Sequence, residues 1–433
     1  MRPFRLLPLL ALPLLIGACQ QAPARPENPA TRPQAEQSAP GAATRGGLGG
    51  TVIRVTSLAA NGPGSLRAAL EAAGPRVIVF EIAGVIDLNR QDLVLDQPFV
   101  TIAGQTAPSP GITLIRGGMK IRAHDVVMQH LRFRMGDAGL PKGNGYEVDV
   151  SIEGRNAHNV WVDHCSVAWG TDENLSISGP RYDGPEGTAR RVTLSSNIIA
   201  EGLVTSTHKK GAHSMGTLVH DDVRDVLIQG NLYANNADRN PWFKGGSTGA
   251  LINNYIHNPG KWAIRLGYNP KEWEGRTPPP APRLALIGNV MQHGADTPAT
   301  LSMIGSNAPD RQGEAFMQDN LAFLKTGAPA PLVSGGISAL AASPVRLDTA
   351  PIPAARLREA MLASVGARPA DRDSVDKRLL REILNGTGRQ IDSQNEVGGY
   401  PEASPVRRAL DVPAEPARQQ AWLEAYAREV EGR

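Results

Sequence analysis

The chain has 433 residues, of which 41% are apolar, with 45 Lys and Arg against 42 Asp and Glu. This apolar content is enough for a large buried core and excludes a disordered chain. The formal net charge of +3 indicates no nucleic-acid partner, so an acidic ligand must be recognised by a local site. The 46 Gly and 35 Pro, with only 5% aromatics, indicate frequent turns and favour an all-β fold.

The first residues have the zones of an export signal. A basic start precedes an apolar run from Leu6 to Ile16, which is too short to span a bilayer. The run ends in Ile16-Gly17-Ala18-Cys19, which resembles the lipobox of bacterial lipoproteins. That resemblance implies a signal peptide of residues 1–18 and an acylated Cys19 inserted in the outer-membrane lipid, since Gln20 replaces the Asp of inner-membrane retention. An ordinary secretory signal, with a secreted product, is the alternative.

Residues 19–50 are predicted to be a disordered tether. From residue 20 onward the segment contains five prolines, and Leu48 is its only large apolar side chain. Such a composition buries too little apolar surface to offset the entropy lost on ordering. With Cys19 acylated, Cys165 is the only remaining thiol, so we expect no intramolecular disulfide and a buried core cysteine.

From Thr51 onward, short β-branched runs alternate with polar turns, a pattern typical of strands. The clearest runs are Val77–Phe80, Val100–Ile102, Asp125–Met128, Asn159–Val162 and Arg191–Leu194. One short helix is predicted from Ser65 to Ala73, because Ser65 is a good N-cap residue and Gly74 can end the helix. We expect this helix to cap the first turn of the β domain.

A loose internal repeat places an asparagine after successive apolar runs. The asparagines recur at intervals of 34, 23, 35 and 31 residues, at Asn197, Asn231, Asn254, Asn289 and Asn320. Intervals of this size suit single turns of a solenoid, in which each turn buries its face against its neighbours. We therefore predict a right-handed parallel β-helix over residues 51–345, with the asparagines hydrogen-bonded in a ladder at one bend.

Residues 346–433 are charged and Ala-rich, unlike the preceding strands. Apolar residues at helical spacing predict helices over Ser374–Leu384 and Glu415–Val430. We expect this C-terminal extension to pack on the solenoid rather than to form a second enzyme domain.

Two stretches carry most of the candidate chemistry. The first is acidic and contains Glu147, Asp149, Asp172 and Glu173 around a strand ending in Asp163-His164. Carboxylates on successive coils, about 4.8 Å apart, can converge into a site of hard oxygen ligands that suits calcium. The second stretch is basic and runs from Asp238 to Lys244, where a proline turn places Arg239 near Lys244.

With these residues the chain resembles the pectate lyase superfamily, polysaccharide lyase family 1, over roughly residues 50–330. Asn159–His164 matches the vWiDH signature of that family, and Arg239-Asn240-Pro241 with Lys244 matches its RxPxxR signature with lysine in the last place. The resemblance implies calcium-dependent β-elimination on pectate (polygalacturonate) or a related uronate polymer. It also implies that Arg239 is the base, although free arginine is almost always protonated. A neighbouring cation would disfavour its charge, which predicts an alkaline optimum.

Carried over position by position, the resemblance assigns the Ca²⁺ ligands to Asp149 and Asp172, with Glu173 and Glu147 as further candidates. Ser176 stands where the family has a second acid after the signature. Substrate carboxylates would be held by Lys244, with Lys210 and His213 close to the position where Met215 replaces an expected lysine.

Other conspicuous residues have structural interpretations. Asp163 and His164 are expected to form a satisfied pair inside the coil, and Trp161 and Trp169 to be core or wall residues rather than sugar platforms. Arg132 and Arg134 alternate on one strand and are expected to decorate its outer face.

Two other functions remain open. A β-helix glycoside hydrolase needs two positioned carboxyl groups, but the adjacent Asp172 and Glu173 would point to opposite faces of a strand. A non-catalytic carbohydrate-binding surface protein is favoured by the departures at Ser176 and Met215. We expect a monomer in each case.

Overall fold

The computed structural model describes Met1, residues 41–345 and residues 350–433. The predicted lipobox with Cys19, and the predicted tether up to residue 40, lie outside the described residues. Among the helices that are described, none combines the length and apolar character needed to cross a bilayer.

The architecture is a coil of three parallel β-sheets, in which each strand pairs with the strand one turn later. The first sheet contains Thr51–Val55, Arg76–Phe80, Val100–Ala103, Val126–Gln129, His158–Asp163, Arg190–Ser195, Arg224–Gln229, Thr248–Ile252, Arg283–Ile287, Glu314–Gln318 and Ser338–Ala339. The second contains Leu93–Leu95, Met119–Ile121, Val150–Glu153, Leu175–Ser178, Leu218–Val219, Trp242–Phe243, Ile264–Leu266 and Ile304–Ser306. The third contains Ile82–Asp87, Ile112–Ile115, Leu131–Arg134, Ser166–Ala168, Ile198–Ala200, Leu232–Ala234, Tyr255–His257, Val290–Gln292 and Leu321–Phe323, with Val406–Arg407 antiparallel at its edge. The chain thus forms a parallel β-helix, as the repeat predicts.

The core of the coil is built from columns of identically placed side chains. One column of the first sheet aligns Ile78, Ile102, Met128, Val162, Leu194, Ile228, Leu251 and Leu286, all fully buried. Each of these side chains packs above and below against a similar one, so every turn buries its apolar face against its neighbours.

The asparagine ladder is confirmed. The side-chain oxygen of Asn231 accepts hydrogen bonds from both the backbone and side-chain nitrogens of Asn197. Asn254, Asn289 and Asn320 repeat the arrangement, with donor–acceptor distances of 2.9–3.1 Å. Because each amide group is buried and paired, the ladder satisfies the polar groups of the bend without water.

Helix α1 (Leu66–Glu71) lies at the start of the coil. The Ser65 hydroxyl accepts a hydrogen bond from the Ala68 amide, and Leu66 and Leu70 are buried. The residues that precede α1 correct the prediction of a disordered tether up to residue 50. Gly41 donates to Thr193 Oγ1 and Gly47 donates to Thr101 Oγ1, each at 3.0 Å, so residues 41–50 lie on the solenoid and are not part of a free tether.

Three helices follow the coil: α2 (Ala354–Ser364), α3 (Ser374–Asn385) and α4 (Pro416–Glu431). Short 3-10 turns occur at Gly104–Thr106, Pro185–Gly187, Pro270–Glu272, Pro369–Asp371 and Gln394–Val397. Helices α2 and α3 cover the third sheet with Leu357, Met361, Val375, Leu379 and Ile383. Helix α4 packs Leu423 against Val77, Val79 and Ala103 of the first sheet and its following bend. The tail therefore completes the packing of the solenoid.

The covered third sheet overturns the prediction for Arg132 and Arg134. Both arginines are buried, not on an outer surface. Arg134 Nη2 lies 2.8 Å from Asp376 Oδ1 and 3.0 Å from Asp373 Oδ2, at the beginning of α3. The sequence pattern assigns this face of the third sheet to solvent. In the structure it is covered by the C-terminal residues, whose Asp373 and Asp376 pair with the arginines.

The structural interpretations of Asp163, Trp169 and Cys165 agree with the structure, whereas His164 Nδ1 makes no hydrogen bond of good geometry within the described residues. Asp163 accepts hydrogen bonds from Ser195 and from Gln129, at 2.6 and 3.0 Å. Trp169 is fully buried and donates to Glu201. Cys165 is a buried free thiol, and burial raises its pKa to about 12, so it is not a nucleophile.

Candidate active site

The candidate residues gather along the leading edge of the second sheet, where the chain enters successive strands. Asp149 directly precedes Val150–Glu153, which pairs with Leu175–Ser178. Two residues before Leu175, Glu173 pairs with Met215, and Met215 pairs with Asp238. Residues that are far apart in sequence therefore lie on neighbouring turns, about 4.8 Å apart. We call the surface formed by Asp149, Glu173, Met215 and Asp238, with the side chains beside them, the groove.

Asp149 and Asp172 lie on adjacent turns of the groove. Asp149 is partly buried and accepts a hydrogen bond from the Ser176 hydroxyl at 2.8 Å. Loss of solvent and the nearby charges of Asp172 and Asp92 raise the pKa of Asp149 to about 7. Carboxylates that lie this close repel one another when ionised, so the site favours a bound cation.

Asp172 has a histidine partner. His213 Nε2 lies 2.7 Å from Asp172 Oδ1. Although burial raises the pKa of Asp172, the bond to His213 and the charge of Arg239 outweigh it and hold that pKa below its ordinary value. His208 stacks on His213 with ring centroids 3.8 Å apart, and its Nε2 lies 3.4 Å from the exposed Glu147.

Arg239 lies at the centre of the groove. Its guanidinium forms an ion pair with Glu173, and its side chain is 15% exposed. Burial, aided by the like charge of Arg265, lowers the pKa of Arg239 to about 10, against the opposing effect of Asp172. The structure thus brings Arg239 close enough to Asp172 for their charges to interact, but Glu173 is a counterion of the arginine and not a free ligand.

Lys244 is placed differently from the prediction. It is 1% exposed, lies 2.9 Å from Asp221 and forms a second ion pair with Glu272. Burial lowers the pKa of Lys244, although both carboxylates oppose this effect. Its ammonium is therefore enclosed by two acids of this chain. In contrast, Lys210 is exposed on the loop that carries His208 and His213.

Sequence reasoning missed Arg265 and Asp238. Arg265 aligns with Trp242 on the neighbouring strand and lies 3.7 Å from the centre of that indole ring. It also lies 3.6 Å from Asp238 and donates to Asn307 at 2.7 Å. The signal for Arg265 was the alternation of Ile264, Arg265 and Leu266, which places one polar side chain outward between two buried ones.

The fold and the groove define a β-helix protein whose outer face brings a partly buried arginine beside carboxylates. No protein-family model matches the chain. The chain is 36% identical over 261 residues to a probable pectate lyase C of Aspergillus oryzae, covering 60% of this chain and 54% of the relative. It is 37% identical to a protein of the same name from Emericella nidulans, covering 60% and 53%. The chain thus spans about half the length of these curated relatives.

A pectate trisaccharide-lyase of a Thermotoga species is 30% identical over 138 residues, 31% of this chain and 34% of that protein. Among solved structures, a pectate lyase bound to a hexasaccharide has a TM-score of 0.53 at 13% identity, covering 77% of this chain and 98% of that one. A second pectate lyase, from work on its anti β-elimination mechanism, has a TM-score of 0.51 at 13% identity, with the same coverage. In sequence and in fold, the chain is similar to the pectate lyases.

Proposed function

We propose that this chain is a pectate lyase-like polysaccharide lyase that cleaves pectate, or a related uronate polymer, by β-elimination. The observation that carries the proposal is the position of Arg239, whose pKa is lowered to about 10 beside the carboxylates of the groove. Sequence similarity to proteins named as pectate lyases supports the same reaction class.

In this proposal the neutral guanidine of Arg239 takes the C5 proton of a uronate ring, the electron pair of that bond forms the C4=C5 double bond, and the bond from C4 to the leaving sugar oxygen breaks. The leaving oxygen takes a proton from water. The guanidinium that forms is stabilised by Glu173, which already contacts it. The same carboxylate favours the charged form in the resting protein. The active fraction therefore rises with pH towards the pKa of Arg239.

We propose Ca²⁺ as the cofactor, because the donor set fits a hard cation. Asp149 and Asp172 would hold it, with the Ser176 hydroxyl beside Asp149 in place of a second acid. When bound, such an ion supplies stabilisation of the negative charge that develops on the substrate carboxylate. His213 must give up its contact with Asp172, or share it, when the carboxylate acts as a ligand.

Substrate carboxylates further along the groove need cationic partners. Lys210 is exposed and His213 faces the groove beside Asp172, so we propose these two as substrate contacts. Lys244, closed in by Asp221 and Glu272, would instead order the loop next to Trp242. We therefore propose an acidic polysaccharide as the substrate, and a monomer remains the expected oligomeric state.

We further propose that the chain is exported and carried by a signal peptide and an acylated Cys19 to the outer membrane. The sequence pattern supports this proposal, and the residues concerned lie outside the described structure. A Cys19→Ala variant should leave the membrane fraction and carry no lipid; retention of lipid by that variant would contradict the anchor.

The enclosure of Lys244 favours one competing function, a carbohydrate-binding protein without catalysis. The two functions are separated by incubating the purified protein with de-esterified polygalacturonate and following the absorbance of unsaturated ends. A lyase produces a rise in this absorbance with calcium and none with a chelator. A carbohydrate-binding protein retains the polymer without any rise in absorbance.

The Arg239→Ala variant should reduce this rise by at least about 100-fold, because loss of a general base typically costs two to four orders of magnitude. Arg224→Ala is the matched control, since Arg224 is exposed on the first sheet, outside the groove, and its loss should leave the rate unchanged. Equal rates in the Arg239→Ala variant and the wild type would remove Arg239 as the base.

A further inference from the structure

Outside the groove, two histidines and a carboxylate face one another in the interior. His130 follows the strand Val126–Gln129, His164 follows His158–Asp163 on the next turn, and Glu431 is the last residue of α4. They are 0%, 9% and 8% exposed. The two imidazole rings stack with centroids 5.3 Å apart and planes 15° apart. The chain therefore brings three groups able to ligate a metal to one buried point.

The distances among these groups suit ligands of one ion better than hydrogen-bond partners. Glu431 Oε1 lies 3.5 Å from His130 Nε2 and 3.8 Å from His164 Nδ1. Neither nitrogen makes a hydrogen bond of good geometry within the described part of the chain, although Asp163 Oδ2 lies 3.0 Å from His164 Nδ1. Two ligands bound to one tetrahedral ion at about 2.0–2.1 Å lie roughly 3.4 Å apart, whereas a nitrogen–oxygen hydrogen bond is about 2.9 Å long.

The other ring nitrogen of His130 fixes its tautomer. His130 Nδ1 lies 2.7 Å from the carbonyl oxygen of Ala367, and a carbonyl can only accept. In the neutral ring the proton is therefore on Nδ1, and the lone pair of Nε2 points at Glu431. A histidine that ligates a metal usually donates its second N–H to a carbonyl or carboxylate in this way.

The surroundings complete the site. The second oxygen of Glu431 accepts a hydrogen bond from Arg433 at 2.6 Å, which leaves Oε1 to face the histidines. Asp163 Oδ2 lies 3.0 Å from His164 Nδ1 and adds a further oxygen beside the set. A lone pair and a carboxylate that face each other in a buried site repel, and a proton or a bound cation between them removes that repulsion.

We propose that His130, His164 and Glu431 bind a borderline divalent cation of the Zn²⁺ type. Nitrogen donors distinguish this site from the all-oxygen set expected for calcium. Because the ligands come from two successive turns and from the end of α4, the ion would fasten the C-terminal helix to the coil. The inference stands apart from the proposed lyase activity.

The test uses the full purified chain, stripped of metal and then equilibrated with Zn²⁺ alone in calcium-free buffer. Bound zinc is counted by mass spectrometry, and its ligands are identified by X-ray absorption. The wild type should bind one zinc with two imidazole nitrogens, and zinc should raise its melting temperature. Glu431→Gln should weaken binding at least about 100-fold, since even indirect partners of a ligand contribute 10- to 100-fold.

Glu429→Gln is the matched control, because Glu429 is exposed on the same helix and should bind zinc as the wild type does. A second candidate set, formed by Asp172, His208 and His213 in the groove, is separated from the first by the His208→Ala variant. Absence of zinc from the wild type, or loss of zinc in His208→Ala with full binding in Glu431→Gln, would overturn the proposal. If Glu431→Gln fails to fold, His208→Ala decides alone: zinc that this variant retains with two imidazole nitrogens supports the site in the interior, whereas loss of zinc assigns the ion to the groove and overturns the proposal.

Discussion

Arg239 and Lys244 are five residues apart and carry the same charge, yet their surroundings give them different properties. Arg239 keeps 15% of its side chain exposed in the groove and has a pKa lowered to about 10. Lys244 is closed in by Asp221 and by Glu272, the latter 28 residues further along the chain. The local motif could predict the position of Arg239. The enclosure of Lys244 could not be predicted in this way, because it depends on acids from other turns of the coil.

Asp149 provides a test of the cation site that does not depend on activity. Its pKa is raised to about 7, so the ionised carboxylate is disfavoured in the folded protein and reduces stability above that pH. This loss of stability decreases as the pH falls from about 7 towards the ordinary pKa of an aspartate. In metal-free protein near pH 8, Asp149→Asn should therefore raise the free energy of unfolding by about 1–2 kcal/mol, allowing for partial exposure.

Chemical denaturation of metal-free protein, with and without added calcium, measures this effect. Asp183→Asn, at an exposed position, is the control and should change little. Calcium should stabilise the wild type more than Asp149→Asn. A destabilised Asp149→Asn variant in the absence of metal would show that Asp149 is a structural residue whose charge the fold needs.

At the scale of elements, the strands of the coil follow from alternating β-branched runs, and the bend follows from the repeated asparagines. Helix α3 begins at Ser374, where the sequence indicates it, because the Asp373 side chain accepts a hydrogen bond from the Asp376 amide at 2.8 Å. Helix α2 was not predicted. Its N-cap position is Pro353, which offers no side-chain cap and leaves no local signal.

The ladder should be a major source of stability. Asn231 is fully buried and links Asn197 to Asn254 through its side chain. Asn231→Ala would leave those two neighbours with unpaired polar atoms in the interior, at a cost of about 2–4 kcal/mol. Equilibrium unfolding in urea measures the change.

The matched control for the ladder is Asn156→Ala, which removes an exposed asparagine from a turn and should change stability by less than about 0.5 kcal/mol. Similar midpoints for the two variants would mean that water replaces the missing rung at no cost, and the ladder would then be a consequence of the coil rather than a support for it.

At the scale of the whole molecule, the C-terminal residues are part of the folded unit. They cover the third sheet with α2 and α3 and supply the acids that face Arg132 and Arg134. Sequence reasoning expected this segment to pack on the solenoid and placed the two arginines in solvent, whereas both arginines are buried. Alternation along a strand shows which side chains point outward, and it does not show whether a later segment covers them.

The buried ion pair between the tail and the coil gives a prediction at this scale. Asp376→Asn leaves Arg134 with Asp373 as its only carboxylate partner among the described residues, so it should lower the free energy of unfolding by about 3 kcal/mol. Limited proteolysis should then release the tail more readily. Asp411→Asn, at an exposed position of the same tail, is the control. Equal protease resistance in both variants would show that apolar packing alone holds the tail.

The dependence of the lyase rate on pH tests the central claim most directly, since that claim is a partly buried arginine that loses its proton. The initial rate at which polygalacturonate acquires unsaturated ends should be measured at saturating calcium from about pH 7 to about pH 10. The rate should rise steadily towards the pKa of Arg239, near 10, and should be lost across the whole range in Arg239→Ala. A rate that is flat over this range, or an unchanged profile in Arg239→Ala, would contradict the mechanism.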